Sequence, residues 1–332
     1  MFRGIKRCAA AMAALLVVTA AEAQEGPAFF DGKTVNYIVA TDAGGGYDTN
    51  GRLVAQFMQK YLPGSTFVVR NMPGAGQIIG ANYISASKPD GLTIGTFNTG
   101  LIYSQLIEDP AARFDLSKMS WIGKVASDPR VIVVSTESGI NSIDDLMKSS
   151  DRVKFATCGV GCASMLESTM LIKALNLPVD LVTGYNGNDD QLAMRRGEVA
   201  GMFGSRSSFE QFVAEGHGKF IAQIGGSQTD VPQLSTVTTD EAAQRAIALV
   251  ASQATIARLT AGPADIPQDR LDALRAAYQS AVTDPEFLAK AEAAKLPIDP
   301  LVGADVQNAV VTALEQTPEM VSFLNEIMAN KE

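Results

Sequence analysis

Apolar and polar positions set out an alternation of strands and helices from residue 35 onward. Residues 35–41 alternate and are rich in β-branched side chains, which predicts a strand. Over 49–61, Leu53, Val54, Phe57, Met58 and Leu62 fall on one apolar stripe at helical spacing, and Pro63-Gly64 stops the helix. A second strand at 66–70, a turn at 71–74, a helix starting near Gln77, a turn at 88–91 and a third strand at 92–97 follow. This β-α-β-α-β order argues for a parallel α/β sheet.

The run 121–135 reads as a strand that breaks at Asp128-Pro129 and resumes, the pattern of a chain crossing between two lobes. Beyond it come strands at 181–183, 199–203 and 220–224 and a helix at 189–196. A return strand at 254–260, helices at 268–282 and 284–294 and a terminal pair complete the chain. The expected organisation is a first lobe of residues 24–128 with 253–332 and a second of 129–252. No tandem repeat of solenoid length is present.

Residues 1–23 have the layout of a secretory leader. Arg3, Lys6 and Arg7 precede an apolar run at 8–18, and Ala21-Glu22-Ala23 offers a cleavage site before Gln24. The run is too short to span a bilayer. Cys8 stands at its start, whereas a lipoprotein cysteine stands at its end. The expectation is a soluble exported protein in the periplasm of a Gram-negative cell.

Composition narrows the function. A chain of 332 residues has room for two α/β domains, and 46% hydrophobic with 19% charged residues is a globular balance. A formal net charge of −9 argues against nucleic acid and anionic membrane partners. An anionic ligand must then be held by local donors.

Two stretches supply such donors. Residues 35–62 and 153–175 each read strand, glycine-rich loop, helix, which leaves unpaired backbone N–H groups at the positive end of a helix. The triplet Gly44-Gly45-Gly46 lacks the Lys-Ser/Thr pair of a phosphate loop. The glycines at 74, 76 and 80 miss the dinucleotide fingerprint by one residue. Asp48 and Arg52, four apart, predict an intrahelical ion pair that also caps the helix or orients the loop. Asp189-Asp190 stands at a helix start, where acidic residues suit the dipole.

Other side chains leave alternatives open. Arg206 follows an apolar strand in a serine-rich loop, where it either clamps a carboxylate or pairs at the surface with Glu210. Cys158 and Cys162 either form a disulfide that clamps a ligand loop or fill space as two small buried thiols. The chain's one histidine, His217, lies in a glycine-flanked turn, which supports neither a Ser-His-Asp site nor a zinc site. No cofactor or metal is expected.

The segments GGGYDTNGR (44–52), FVVRNMPGAGQIIGA (67–81) and KPDGLTIG (88–95) together resemble the N-terminal signature of the tripartite tricarboxylate transporter solute-binding proteins, the Bug receptors. Similar segments run to about residue 300, among them VKFATCGVGCASML, GYNG before a helix ending RRGEVAGMF, and LTAGPADIP. The resemblance implies a type II periplasmic binding-protein fold, two α/β lobes with a ligand cleft between them. It implies a small organic acid as ligand, membrane permease subunits as partners, and a monomer without enzymatic activity. Carried onto this chain, the family's ligand loops are Gly45, Gly46, Tyr47 and Asp48 with Asn98 and Thr99, and Gly159, Gly161, Ala163 and Ser164 with Tyr185 and Asn186. The chain departs from the pattern in two acidic places. Asp42-Ala43-Gly44 replaces the usual proline before the glycines, and Asn188-Asp189-Asp190 follows Gly187. Rival readings are a sensor subunit of a signalling system and an exported hydrolase using Ser164 or a cysteine.

Overall fold

A computed structural model of the protein describes residues 26–159, 162–185 and 188–329. The leader 1–23, Gly161 and Asn186 lie outside the described residues. The chain opens with β1 (Thr34–Val39), α1 (Gly46–Lys60), β2 (Thr66–Asn71), α2 (Ile78–Ser85), β3 (Thr93–Phe97), α3 (Gly100–Leu106) and β4 (Ser120–Ala126). It crosses to β5 (Arg130–Ser135), α4 (Ile143–Met147), β6 (Val153–Thr157), α5 (Ala163–Leu175), β7 (Val179–Thr183), α6 (Asp189–Arg195), β8 (Gly201–Ser205), α7 (Arg206–Ala214), β9 (Gly218–Ile224) and α8 (Glu241–Ala254). It returns through β10 (Ala257–Gly262), α9 (Gln268–Thr283), α10 (Pro285–Ala293), β11 (Leu301–Val302), α11 (Ala304–Leu314) and α12 (Pro318–Ala329).

The strands form two sheets, ordered β11-β4-β10-β3-β1-β2 and β7-β6-β8-β5-β9. The two-lobed α/β architecture expected from the sequence is the one observed. The sheets are mixed rather than purely parallel. β1, β2 and β3 run parallel, while the return strand β10 lies antiparallel between β3 and β4. In the second sheet β5 is antiparallel to both β8 and β9. The crossing strands produce this mixture, because each enters a sheet from the opposite lobe.

Strand periodicity explains how each sheet is covered. Along β1, Val35, Tyr37 and Val39 join one apolar cluster with α1, α9 and α10, while Ile38 joins another with Trp121, Val306 and Val310. The stripe Leu53, Val54, Phe57 and Met58 of α1 is buried as predicted. Each such side chain contributes about 1.5–3 kcal/mol. Gly51 lets α1 lie close on the sheet, since a Cβ there would stand 2.8 Å from Val39 Cγ2.

Two elements differ from the sequence reading. Residues 241–254 form α8, capped by the Asp240 carboxylate accepting from the Ala243 N–H at 2.8 Å, and the return strand begins only at Ala257. The terminal helix α12 leaves the first lobe. Its Leu324 packs among Leu166, Met170 and Ile247 of the second, so the first-lobe expectation for 253–332 does not extend to it. Among the described residues no helix is long and apolar enough to cross a membrane.

Candidate functional site

The carboxyl ends of the strands from both sheets face a shared cleft of about 350 Å³. The first lobe contributes Ala40–Asp42 after β1, the start of α1 at Gly46 and Tyr47, the 73–77 turn after β2, and Asn98 after β3. The second contributes Cys158 and Gly159 after β6, the start of α5 at Ala163 and Ser164, Tyr185 after β7, and the wall made by Asp190, Gln191, Ser205 and Ser208. Arg130, at the start of β5, also lines it.

The first-lobe corner is braced from behind. Asp48 in the first turn of α1 accepts from the Gly44 N–H at 3.0 Å, Arg52 Nε at 2.9 Å and Asn71 Nδ2 at 2.8 Å. Burial opposes its charge, but hydrogen bonds from Arg52, Gly44 and Asn71 outweigh burial and hold the carboxyl below its ordinary value. Asp48 therefore shapes the loop and does not line the cleft. Gly45 is the N-cap residue of α1 and is not among the residues that line the cleft. Gly46 makes room for a neighbour, since a Cβ there would stand 3.0 Å from Arg258 Nη2.

Arg258 belongs to the return strand and carries φ +59°, a backbone region that L residues rarely adopt. Its guanidinium lies 4.0 Å over the Tyr47 ring and 3.1 Å from the Asp128 carboxylate, which also accepts from the Ser207 N–H at 3.1 Å. Asp128 and Arg258 thus tie the two crossings to the start of α7. Burial raises the Tyr47 phenol above its ordinary value, with Arg258 opposing.

The second-lobe corner is braced covalently. Cys158 and Cys162 are joined in a disulfide, with Cα atoms 6.1 Å apart, immediately before α5. The Ser164 hydroxyl lies 3.0 Å from Thr157 Oγ1, so it is engaged by a threonine and not by a base. His217 stands elsewhere, beside Glu215 and the Phe212 ring. Among the described residues no group of three or more His, Cys, Asp or Glu side chains is arranged to hold a metal.

Of the residues expected from the sequence, Gly46, Tyr47, Asn98, Gly159, Ala163, Ser164 and Tyr185 meet at the cleft. Thr99 is buried just behind it, with Oγ1 3.4 Å from Arg130 Nη2. Arg206 is a correction. It bonds Glu210 at 2.7 Å and Asp230 at 2.5 Å and lies over the Phe220 ring, and it does not line the cleft. Its acidic partners, not a ligand, take its charge.

Arg130, Asp42, Asp190 and Gln77 are cleft residues that the sequence reading did not place in the site. Arg130 is buried, donates to Ser205 Oγ and to Glu167 Oε1 at 2.9 Å, and so arrives already paired. A cation opening an otherwise apolar strand just past the crossing was the available signal for it. Asp190 forms no ion pair among the described residues, and burial, helped by Asp189, pushes its carboxyl up to about 6. A second groove of about 660 Å³ adjoins the cleft and shares Gly46, Asn188, Gln191 and Ser208 with it.

Comparison with known proteins agrees with the two-lobed fold. The family profile described as "Tripartite tricarboxylate transporter family receptor" matches residues 51–319. The UPF0065 protein in the TAR-I ttuE-ttuC' intergenic region of Agrobacterium vitis is 31% identical over 180 residues, which is 53% of this chain and 51% of that relative. The chain thus spans about half the length of that curated relative. The solved structure of periplasmic binding protein BugD is 23% identical, with TM-score 0.73 over 89% of this chain and 98% of that one. MatC from Rhodopseudomonas palustris with bound malate is 20% identical, with TM-score 0.69 over 89% and 98%.

Proposed function

Because the chain belongs to the tripartite tricarboxylate transporter receptor family, we propose that it is a periplasmic solute-binding protein that captures a small organic acid and delivers it to the membrane permease subunits of such a transporter. It acts as a monomer and releases its ligand unchanged. The observation that carries this reading is the meeting of two helix starts, α1 and α5, at one cleft between two lobes.

Each start offers peptide N–H groups and the positive end of a helix, worth about 0.3–1 kcal/mol to an anion. Charge-assisted hydrogen bonds at roughly 1.5–3 kcal/mol each bring the sum to micromolar binding, about −8 kcal/mol. A carboxylate that touches both lobes favours the closed arrangement over the open one by its differential contacts. Closure runs about the crossings at 128–129 and 255–256, where Asp128 and Arg258 are linked. The malate held by MatC supports a carboxylate of this size class.

The test is calorimetry and thermal shift against di- and tricarboxylic acids, amino acids and aromatic acids. At least one should bind in the micromolar range and contract the protein in solution scattering. Absence of binding across the whole panel refutes the reading.

A further inference from the structure

The two lobes do not meet evenly. Along α5 they are packed together. Tyr103 of α3, a first-lobe helix, is buried at 0% exposure in the second-lobe cluster with Leu166 and Met170 of α5. A Cβ on Gly100, the first residue of α3, would stand 2.8 Å from the Ala163 backbone N. The terminal helix α12 adds Leu324 to the same cluster. Side chains packed in this way leave no room for a small acid to pass.

Along α6 and α7 the lobes stand apart. The groove of about 660 Å³ runs there, between the α1 start and the segment after α10 in the first lobe and α6 and α7 in the second. It is larger than the cleft of about 350 Å³ and meets it at Gly46, Asn188, Gln191 and Ser208. A small molecule bound for the cleft with the lobes in this arrangement has the groove as its way in.

The charge of the groove differs from that of the chain. The whole protein carries a formal −9, which repels an organic anion at long range. The described lining of the groove has two cations, Arg195 in the last turn of α6 and Lys295 just past α10, against one carboxylate, Glu215. Arg195 and Lys295 are exposed, and neither forms an ion pair among the described residues, whereas the neighbouring Arg196 is taken up by Glu198 at 2.7 Å. Glu215 is engaged by Gln211 Nε2 at 2.8 Å. The two cations stand on different lobes, and neither lines the cleft itself. A cation near a helix C-terminus also suits the dipole, so position in the helix alone assigns them no function. Their convergence on a groove that leads to the cleft does.

We propose that this groove is the entrance through which an organic anion reaches the cleft, with Arg195 and Lys295 as steering cations that draw it in against the charge of the rest of the protein. The inference rests on the receptor reading. It concerns how fast the ligand arrives and not how tightly it is held, because a charge at the rim acts on association, whereas a charge touching the bound molecule acts on dissociation.

Stopped-flow mixing at pH 7.5 tests it, read by tyrosine fluorescence because Tyr47 and Tyr185 line the cleft. The probe is the tightest binder, by calorimetry, among malate, adipate, citrate, glutamate and benzoate. In the wild type the association rate constant should fall about fivefold between about 10 mM and about 150 mM salt, as the screening length shrinks from about 30 Å to about 8 Å. Arg195→Gln combined with Lys295→Gln should lower that constant about fivefold at the lower salt, remove or reverse its salt dependence, and leave the dissociation rate within about twofold of wild type. Lys118→Gln combined with Lys148→Gln removes the same charge away from the groove and should leave both rates within about twofold of wild type. Thermal unfolding of each variant separates slow binding from loss of folding. If the Arg195 and Lys295 variant associates as fast as wild type, if it loses affinity through dissociation instead, or if the Lys118 and Lys148 variant slows equally, the entrance inference is overturned while the receptor reading stands. If none of these acids binds, the receptor reading fails and takes this inference with it.

Discussion

Asp48 and Asp190 are both nearly closed off from solvent, at 4% and 6% exposure, yet their carboxyls are shifted in opposite directions. Asp48, in the first-lobe corner, has three donors from Gly44, Arg52 and Asn71 and is held below its ordinary value. Asp190, in the second-lobe wall, has the neighbouring Gln191 N–H and no cation among the described residues, and is pushed up to about 6. Low exposure alone does not set the direction of the shift; the balance between desolvation and hydrogen-bonding partners does. The first carboxyl is structural, because every neighbour it needs comes from its own lobe. The second has no cation partner among the described residues and lines the cleft between the lobes.

Substitution should separate the two with opposite signs. Asp48→Ala strands the Gly44 N–H, the Asn71 amide and Arg52, and should lower stability by about 3 kcal/mol in urea denaturation at pH 7.5. It should also weaken ligand binding more than tenfold by releasing the α1 corner. Because the folded Asp48 lies below its unfolded value, its contribution is complete above about pH 4 and is lost as pH falls through the folded value, so the deficit of the variant should narrow at pH 3.

Asp190→Asn should do the reverse. A carboxyl raised to about 6 makes the charged, folded form roughly 2–3 kcal/mol less favourable, so the variant should gain about that much at pH 7.5. The folded value lies above the unfolded one, so the penalty exists above about pH 6 and is absent below about pH 4. Equal unfolding curves for variant and wild type at pH 7.5 would break the comparison.

The two corners also differ in how they are fastened, which allows a smaller test. The α1 corner relies on hydrogen bonds, whereas the α5 corner carries the Cys158–Cys162 disulfide. Replacing both cysteines by serine should cost about 2 kcal/mol on the chain-entropy account of so short a loop. Ligand affinity should drop about tenfold, and reductant should mimic the change in the wild type but not in the variant. The smallest effect on binding belongs to Arg206. Arg206→Ala removes the pairs with Glu210 and Asp230 and should lower stability by about 1 kcal/mol. The ligand dissociation constant should change less than twofold, and a larger loss would return Arg206 to the site.

What the sequence made legible was local. The α1 stripe, the broken strand at Asp128-Pro129 and the starts of α1 and α5 rest on spacing within a dozen residues, and each is found where the pattern puts it. Helix α8 was not legible as a helix end, because the apolar run 246–260 suits either a strand or a buried helix until the Asp240 cap and the second-lobe core decide it. The arginines show the other limit. Arg206 and Arg130 both flank apolar strands, but one meets Asp230 and the other meets Glu167, 24 and 37 residues away in sequence. Only the fold sorts which of them lines the cleft. Asp42 and Asp190 stood out in the sequence as acidic departures from the resembled pattern, and that both line one cleft became visible only once both lobes were assembled.

A crystal structure of the protein with its tightest-binding organic acid tests the central claim most directly. The account predicts the ligand between the lobes, its carboxylate within hydrogen-bond distance of main-chain N–H groups at the starts of both α1 and α5. A ligand seated in the adjoining groove, or held by one lobe alone with the glycine corners unoccupied, would contradict it.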